Sequence, residues 1–129
     1  MNLLKATISD IASVDNLNIV KFDFNATTLS MMSLELPEGT VIGQEVNLTV
    51  NPSYIALAKA FSGDVSYSNQ IEAVIISVEN GVLLSSIKLS VGSSVLESVI
   101  TKESSVRLAL KVGERVTMLI KASELSMMS

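Results

Sequence analysis

"TKESSVRLALKVGERVTMLIKAS", residues 101–123, has a shorter echo earlier in the chain, "SLELPEGTVIGQEVNLTVNPS", residues 33–53. The two share a rhythm. Gly43 precedes Val46, Leu48 and Val50, and Gly113 precedes Val116, Met118 and Ile120. Alternation with period two is what a strand with one buried face requires. The later stretch holds extra residues, gains hydroxyls, and carries Lys121 where the earlier one has Asn51. One copy is rich in hydrogen-bond donors and the other is poor in them.

Working outward, a shift of 67 residues places Lys5 to Ile8 on Glu72 to Ile75, Ile11 on Val78 and Leu17 on Leu84. It also places Val20, Lys21 and Phe22 on Ile87, Lys88 and Leu89, and Leu29 on Leu96. Beyond Met32 the shift becomes 70, so Gly43 meets Gly113 and Val50 meets Ile120. The chain is an internal repeat, and its second copy has three extra residues between the third and fourth strands. Asn25 meets Gly92, the two residue types that best tolerate a positive φ in a tight turn. Val20, Phe22, Phe24 and their partners Ile87, Leu89, Val91 alternate as strands do, and "NAT" (25–27) and "ENG" (79–81) mark hairpin turns. Such short strands close a small barrel. A short helix is predicted over residues 104–110, with Val106, Ala109 and Leu110 on one face, Thr101 as its cap and Gly113 beyond its end. Residues 59–69 read as a polar joint between the copies.

Composition narrows the function. Of 129 residues 48% are apolar but only 4% aromatic, so the core is aliphatic. Cysteine is absent, which excludes disulfides and thiolate metal sites. Histidine is absent too, removing the commonest general base and metal ligand. An enzyme would need paired carboxylates in a cleft, and no pair stands out. The paired methionines at 31–32 and 127–128 read as packing residues and not as a soft-metal site. With a net charge of −4 and no basic stripe, nucleic acid is not an expected partner. The aromatics Phe22, Phe24, Phe61, Tyr54 and Tyr67 are too few and scattered for a base-stacking platform. No apolar run approaches the ~18 residues that span a bilayer, and no signal peptide opens the chain. A cytoplasmic protein without a membrane partner is expected. Modules of about sixty residues are marginal alone, which points to packing between copies and between subunits, hence a homo-oligomer.

The second copy closely resembles the Mop, or TOBE-type, molybdate-binding module. The family pattern is Ser-x-Arg-Asn before the first strand, Ile-Thr-x-x-Ser before a short helix, Gly-(Asp/Glu)-x-Val, and a closing Lys-Ala-(Thr/Ser). Here these read as residues 66–69, 100–104, 113–116 and 121–123, in the same order. The first copy resembles the module more weakly over residues 2–58. The resemblance implies an all-β fold of two tandem OB-like five-stranded barrel modules, with a short helix in the second. Residues 1–60 would form the first module, with a degenerate motif, and residues 61–129 the second. It further implies the tandem, or molbindin, type of Mop protein: a trimer that binds molybdate or tungstate in the cytoplasm for storage or homeostasis. No organic cofactor and no resident metal are implied. The oxyanion-binding residues carried over by the pattern are Ser66, Ser68, Asn69, Thr101, Ser104, Lys121, Ala122 and Ser123.

The chemistry of these residues agrees. A tetrahedral oxyanion offers only acceptor oxygens, so its pocket needs donors and should be free of carboxylates. Thr101 and Ser104 stand at the start of the predicted helix, where free N–H groups favour an anion, and Lys121 adds a point charge at a strand end. Taken singly, Thr101 and Ser104 are an ordinary helix cap, Lys121 a solvated lysine, and Ser66 and Ser68 linker residues. Asn69 reads chiefly as a residue that fixes the loop. Two departures stand out: Ser68 occupies the position of the family arginine, and the first copy lacks both the Ser-x-Arg and Thr-x-x-Ser segments. The first copy thus reads as a structural partner. The competing reading is a Mop-fold interaction module that has lost its ligand.

Overall fold

A computed structural model describes residues 2–128 of the chain; Met1 and Ser129, the outer ends of the two predicted modules, lie outside the described residues. Five strands come from each half. The first half supplies β1 (Asn2–Val14), β2 (Leu17–Phe24), β3 (Thr27–Ser33), β4 (Glu45–Val50) and β5 (Ala56–Ala58). The second supplies β6 (Asn69–Asn80), β7 (Leu84–Val91), β8 (Ser94–Thr101), β9 (Arg115–Ile120) and β10 (Ser126–Met127), with the helix α1 (Lys102–Arg107) between β8 and β9. A 3₁₀ turn follows the fourth strand of each half, at Pro52–Tyr54 and Ala122–Glu124.

Long first strands pair antiparallel with the second strand on one side and the fourth on the other. The repeat extends to irregularities. A register shift falls between Ile8 and Asp10 in β1 and between Ile75 and Ser77 in β6, the same place 67 residues apart. A bulge bends a strand and raises its twist, and both first strands carry this irregularity at the same point of the repeat. Gly43 and Gly113, each at φ 92°, donate their N–H to Ile8 O (2.8 Å) and Ile75 O (2.7 Å) beside these bulges. Asn25 and Gly92 do take positive φ, 46° and 57°. The inward faces are aliphatic as expected, with Leu4, Ile8, Phe22 and Leu48 in one half and Ile71, Ile75, Leu89 and Met118 in the other forming one continuous buried core.

Each five-stranded sheet is completed by the other half of the chain. The orders are β10-β4-β1-β2-β3 and β5-β9-β6-β7-β8. In space, β5 and β10 are therefore exchanged between the two halves of the chain. Two asparagines tie the two sheets together. Asn69, the first residue of β6, is fully buried; its Oδ1 accepts from Ser30 N (2.7 Å) and its Nδ2 donates to Ser30 O (3.0 Å). Sixty-seven residues earlier, Asn2 makes the same pair of bonds to Glu97 N (2.7 Å) and Glu97 O (2.8 Å). Ser30 and Glu97 lie on β3 and β8, the edge strands of their sheets. A side-chain amide thus stands in for a neighbouring strand and satisfies an edge that would otherwise be open to pairing.

The helix differs from its predicted bounds. It begins at Lys102 and ends at Arg107, and the chain leaves it through Ala109 in the left-handed region at φ 49°, well before Gly113. Leu110 is buried but Val106 is exposed, so the expected shared face does not form. Buried serines anchor the helix instead: Asn80 Oδ1 accepts from both Ser105 Oγ (2.9 Å) and Ser85 Oγ (2.6 Å). The far end is held from the joint, where Lys59 Nζ donates to Leu108 O (2.9 Å) and pairs with Glu114 (2.9 Å).

Candidate oxyanion-binding site

Three of the residues singled out from the sequence come together. Thr101, at the end of β8, Ser104, on the first turn of α1, and Lys121, at the end of β9, line one open cavity of about 570 Å³. The strand β9 brings Lys121 to the cavity after the buried run from Val116 to Ile120 ends. Lys121 is exposed, and its ammonium has no ion-pair or hydrogen-bond partner among the described residues. Thr101 Oγ1 accepts from Ser104 N (3.1 Å) and lies 3.0 Å from Ser104 Oγ. Arg107 Nη2 donates to the same Ser104 Oγ (3.2 Å). The hydroxyl pair has two hydrogens and spends one between its oxygens, so one is left for a ligand. Arg107 brings a second positive charge to the edge of this group from a position the sequence pattern did not single out.

The helix end itself offers less than expected. With six residues α1 has little dipole, Ser104 N is taken by Thr101, and Lys102 N donates to Leu83 O (2.9 Å). Thr101 performs its ordinary capping role.

The other carried-over residues do not join the cavity wall. Asn69, carried over with the pattern but read chiefly as a residue that fixes the loop, is fully buried, and its amide is spent on Ser30. Ser66 and Ser68 are exposed on either side of Tyr67, and Tyr67 is the residue of that segment that lines the cavity. Ala122 offers no side-chain donor. Ser123 lines a different, smaller hollow with Ser33, Glu35 and Met127, the repeat-related counterpart of the first. Its first-half equivalent, Ser53, is the serine in the main cavity.

The sequence reading also missed residues. Ser53 and Tyr54, on the first 3₁₀ turn, line the cavity beside Ile55 and Ala56, so the donor-poor copy supplies part of the wall. Asn51 caps that turn through Ser53 N (2.9 Å). Both tyrosines of the chain, Tyr54 and Tyr67, face this one cavity. Glu124 lines it as well, which overturns the expectation of a carboxylate-free pocket. The signal lay in the sequence: Glu124 is three residues from Lys121, and in a 3₁₀ turn positions i and i+3 eclipse one another.

Two five-stranded sheets with exchanged terminal strands define a tandem OB-like fold. Residues 66–127 match the TOBE domain family. The match covers 62 of the 129 residues, the second half of the chain. Across 98% of this chain and 94% of the other, the fold matches the cytoplasmic molybdate-binding protein ModG in its molybdate-bound form, with a TM-score of 0.91 and 24% identity. A molybdate-binding protein from Sporomusa ovata matches over 52% of this chain and 100% of its own, with a TM-score of 0.51 and 28% identity. No functionally curated protein matches the chain in sequence.

Proposed function

We propose that the chain is a cytoplasmic protein that binds molybdate or tungstate, for storage or homeostasis, and performs no catalysis. One observation carries this reading: the hydroxyls of Thr101 and Ser104 and the unpaired ammonium of Lys121, from separate segments, line one cavity. The solved relatives with the same modules are molybdate-binding proteins. Lys121 supplies the charge, the hydroxyl pair supplies a directed donor, and the phenols of Tyr54 and Tyr67 extend the donor set from both copies. Each charge-assisted bond contributes about 1.5–3 kcal/mol. Several together support micromolar affinity after the cost of association.

The cavity is open, and at about 570 Å³ it is roomier than one tetrahedral anion requires. Its open mouth supports the homo-oligomer reading, in which a second copy would cover it, with a trimer as the proposed assembly. Next to the cavity, sharing Leu84 and Thr101 with it, lies an apolar surface in which Val82 is 89% and Leu83 79% exposed. Patches of this kind mark association surfaces. No helix among the described residues is long and apolar enough to cross a membrane, and the net charge of −4 opposes a nucleic-acid role.

The second reading, an interaction module that no longer binds an anion, is favoured by Glu124 in the cavity and by Ser68 at the arginine position. Native mass spectrometry separates the two. Binding adds whole molybdate or tungstate masses to the assembled species, and the number of copies is read from the same spectrum. An unchanged mass with both anions would establish the second reading.

A further inference from the structure

Ser104 Oγ is the meeting point of two donors. Thr101 Oγ1 donates to it (3.0 Å), and so does Arg107 Nη2 (3.2 Å). A hydroxyl oxygen has two acceptor lone pairs, so both are filled, and its one hydrogen is left for a ligand in the cavity that Ser104 lines. Arg107 does not line the cavity itself and stands behind this hydroxyl. Its other tie runs from Nη1 to Glu103 Oε1 at 3.9 Å, between side chains 64% and 92% exposed, a pair that contributes little. We propose that Arg107 is a positioning and charge-selecting residue. Acting through Ser104 Oγ, it holds that hydroxyl as a donor and biases the cavity toward doubly charged tetrahedral oxyanions over singly charged ones. This rests on the oxyanion reading above.

The balance of charge around the site carries the argument. On the cavity wall the formal charges of Lys121 and Glu124 cancel. Those of Lys102 and Glu103, which line the adjoining hollow, cancel as well. Arg107 is the one left unbalanced among these, and its bond to Ser104 fixes its place. An anion oxygen that accepts from Ser104 Oγ at ~2.7 Å lies within about 6 Å of Arg107 Nη2. At that separation, in a water-like dielectric, one positive charge raises affinity roughly threefold for each unit of charge on the anion. A dianion therefore gains about tenfold. The guanidinium stays charged at every working pH, and it polarises the hydroxyl, which strengthens the bond that Ser104 donates.

The test is titration calorimetry of the full chain at low ionic strength, where exposed charges are least screened. It compares molybdate with perrhenate, a tetrahedral oxyanion of one charge. Arg107→Gln keeps a donor for Ser104 Oγ and removes the charge. The result expected is about tenfold weaker binding of molybdate and about threefold weaker binding of perrhenate, so the preference for the dianion falls about threefold. Arg107→Lys, which restores the charge, recovers most of the molybdate affinity. Glu103→Gln, which frees the guanidinium, raises it. Equal losses for the two anions, or no loss in Arg107→Gln, overturn the inference and leave the oxyanion reading standing. A loss of molybdate affinity as large in Arg107→Lys as in Arg107→Gln overturns it too, and that comparison needs no perrhenate. Should Arg107→Gln fail to fold, an unchanged or lower molybdate affinity in Glu103→Gln decides against the inference. Absence of molybdate binding by the unsubstituted protein overturns the oxyanion reading and the inference with it.

Discussion

Replacing Asn69 by alanine removes two hydrogen bonds, at 2.7 and 3.0 Å, from a fully buried position. Each such bond contributes about 0.5–1.5 kcal/mol net. The larger effect is on what remains: Ser30 N and O, on the edge strand β3, lose the only partner outside the sheet that they have among the described residues. Ser30 is half-buried, so water restores part of this, and an unsatisfied backbone group costs about 1–3 kcal/mol where it does not. The sum is a destabilisation of about 2–5 kcal/mol, and Asn2→Ala, which unpairs Glu97 in the same way, should fall in the same range. Equilibrium urea unfolding followed by circular dichroism measures both, with an unchanged slope showing that the loss is in the folded state. Asn69→Asp should do no better, because it keeps the acceptor, loses the donor and buries a charge. A loss below ~0.5 kcal/mol for Asn69→Ala, the scale of a neutral surface change, would refute the strut. So would a molybdate affinity per folded molecule that falls tenfold or more, since a buried amide spent on Ser30 cannot be a ligand.

Lys121→Ala should leave stability within ~0.5 kcal/mol, because the side chain is exposed and unpaired, while weakening molybdate binding about 10- to 140-fold by calorimetry. Gly92→Ala should destabilise by about 2–3 kcal/mol in thermal or urea unfolding: alanine is strained at φ 57°, and its Cβ would lie 2.5 Å from Asn25 Nδ2, which donates to Val91 O. The hydrogen bond from Lys59, with help from Lys111 N–H, holds the Glu114 carboxyl below its ordinary 4.5. A lowered folded value means this stabilisation is present above the unfolded carboxyl range and is lost as pH falls through the folded one. Glu114→Gln should therefore differ from the unsubstituted protein at neutral pH and converge with it in acid, in unfolding curves from pH 7 to 3.

The repeat made much of the fold legible, because both copies solve the same burial problem. Alternation of Val20, Phe22 and Phe24 against Ile87, Leu89 and Val91 defines a face whichever sheet it joins. The exchange of β5 and β10 was not legible. Three residues at Ala56–Ala58 and two at Ser126–Met127 are too short to carry a period, and their sheet is decided by where the preceding 3₁₀ turn aims the chain. The helix bounds shifted because Asn80, Ser85 and Ser105 anchor the helix by hydrogen bonds that hydrophobic periodicity does not register. In the site, Thr101, Ser104 and Lys121 were found because the order of the motifs resembles the family pattern; taken singly they read as a helix cap and a solvated lysine. Tyr54 and Glu124 were missed for opposite reasons: Tyr54 belongs to the copy that lacks the motif, and Glu124 carries the sign an anion avoids.

Tungstate soaked into crystals of the protein gives the most direct test, because the heavy atom locates itself by anomalous scattering. The account predicts a peak in the cavity bounded by Tyr54 and Tyr67, within hydrogen-bond reach of Lys121 Nζ and of the Thr101 or Ser104 hydroxyl. Anomalous density confined to other surfaces, with this cavity holding only water, would contradict it.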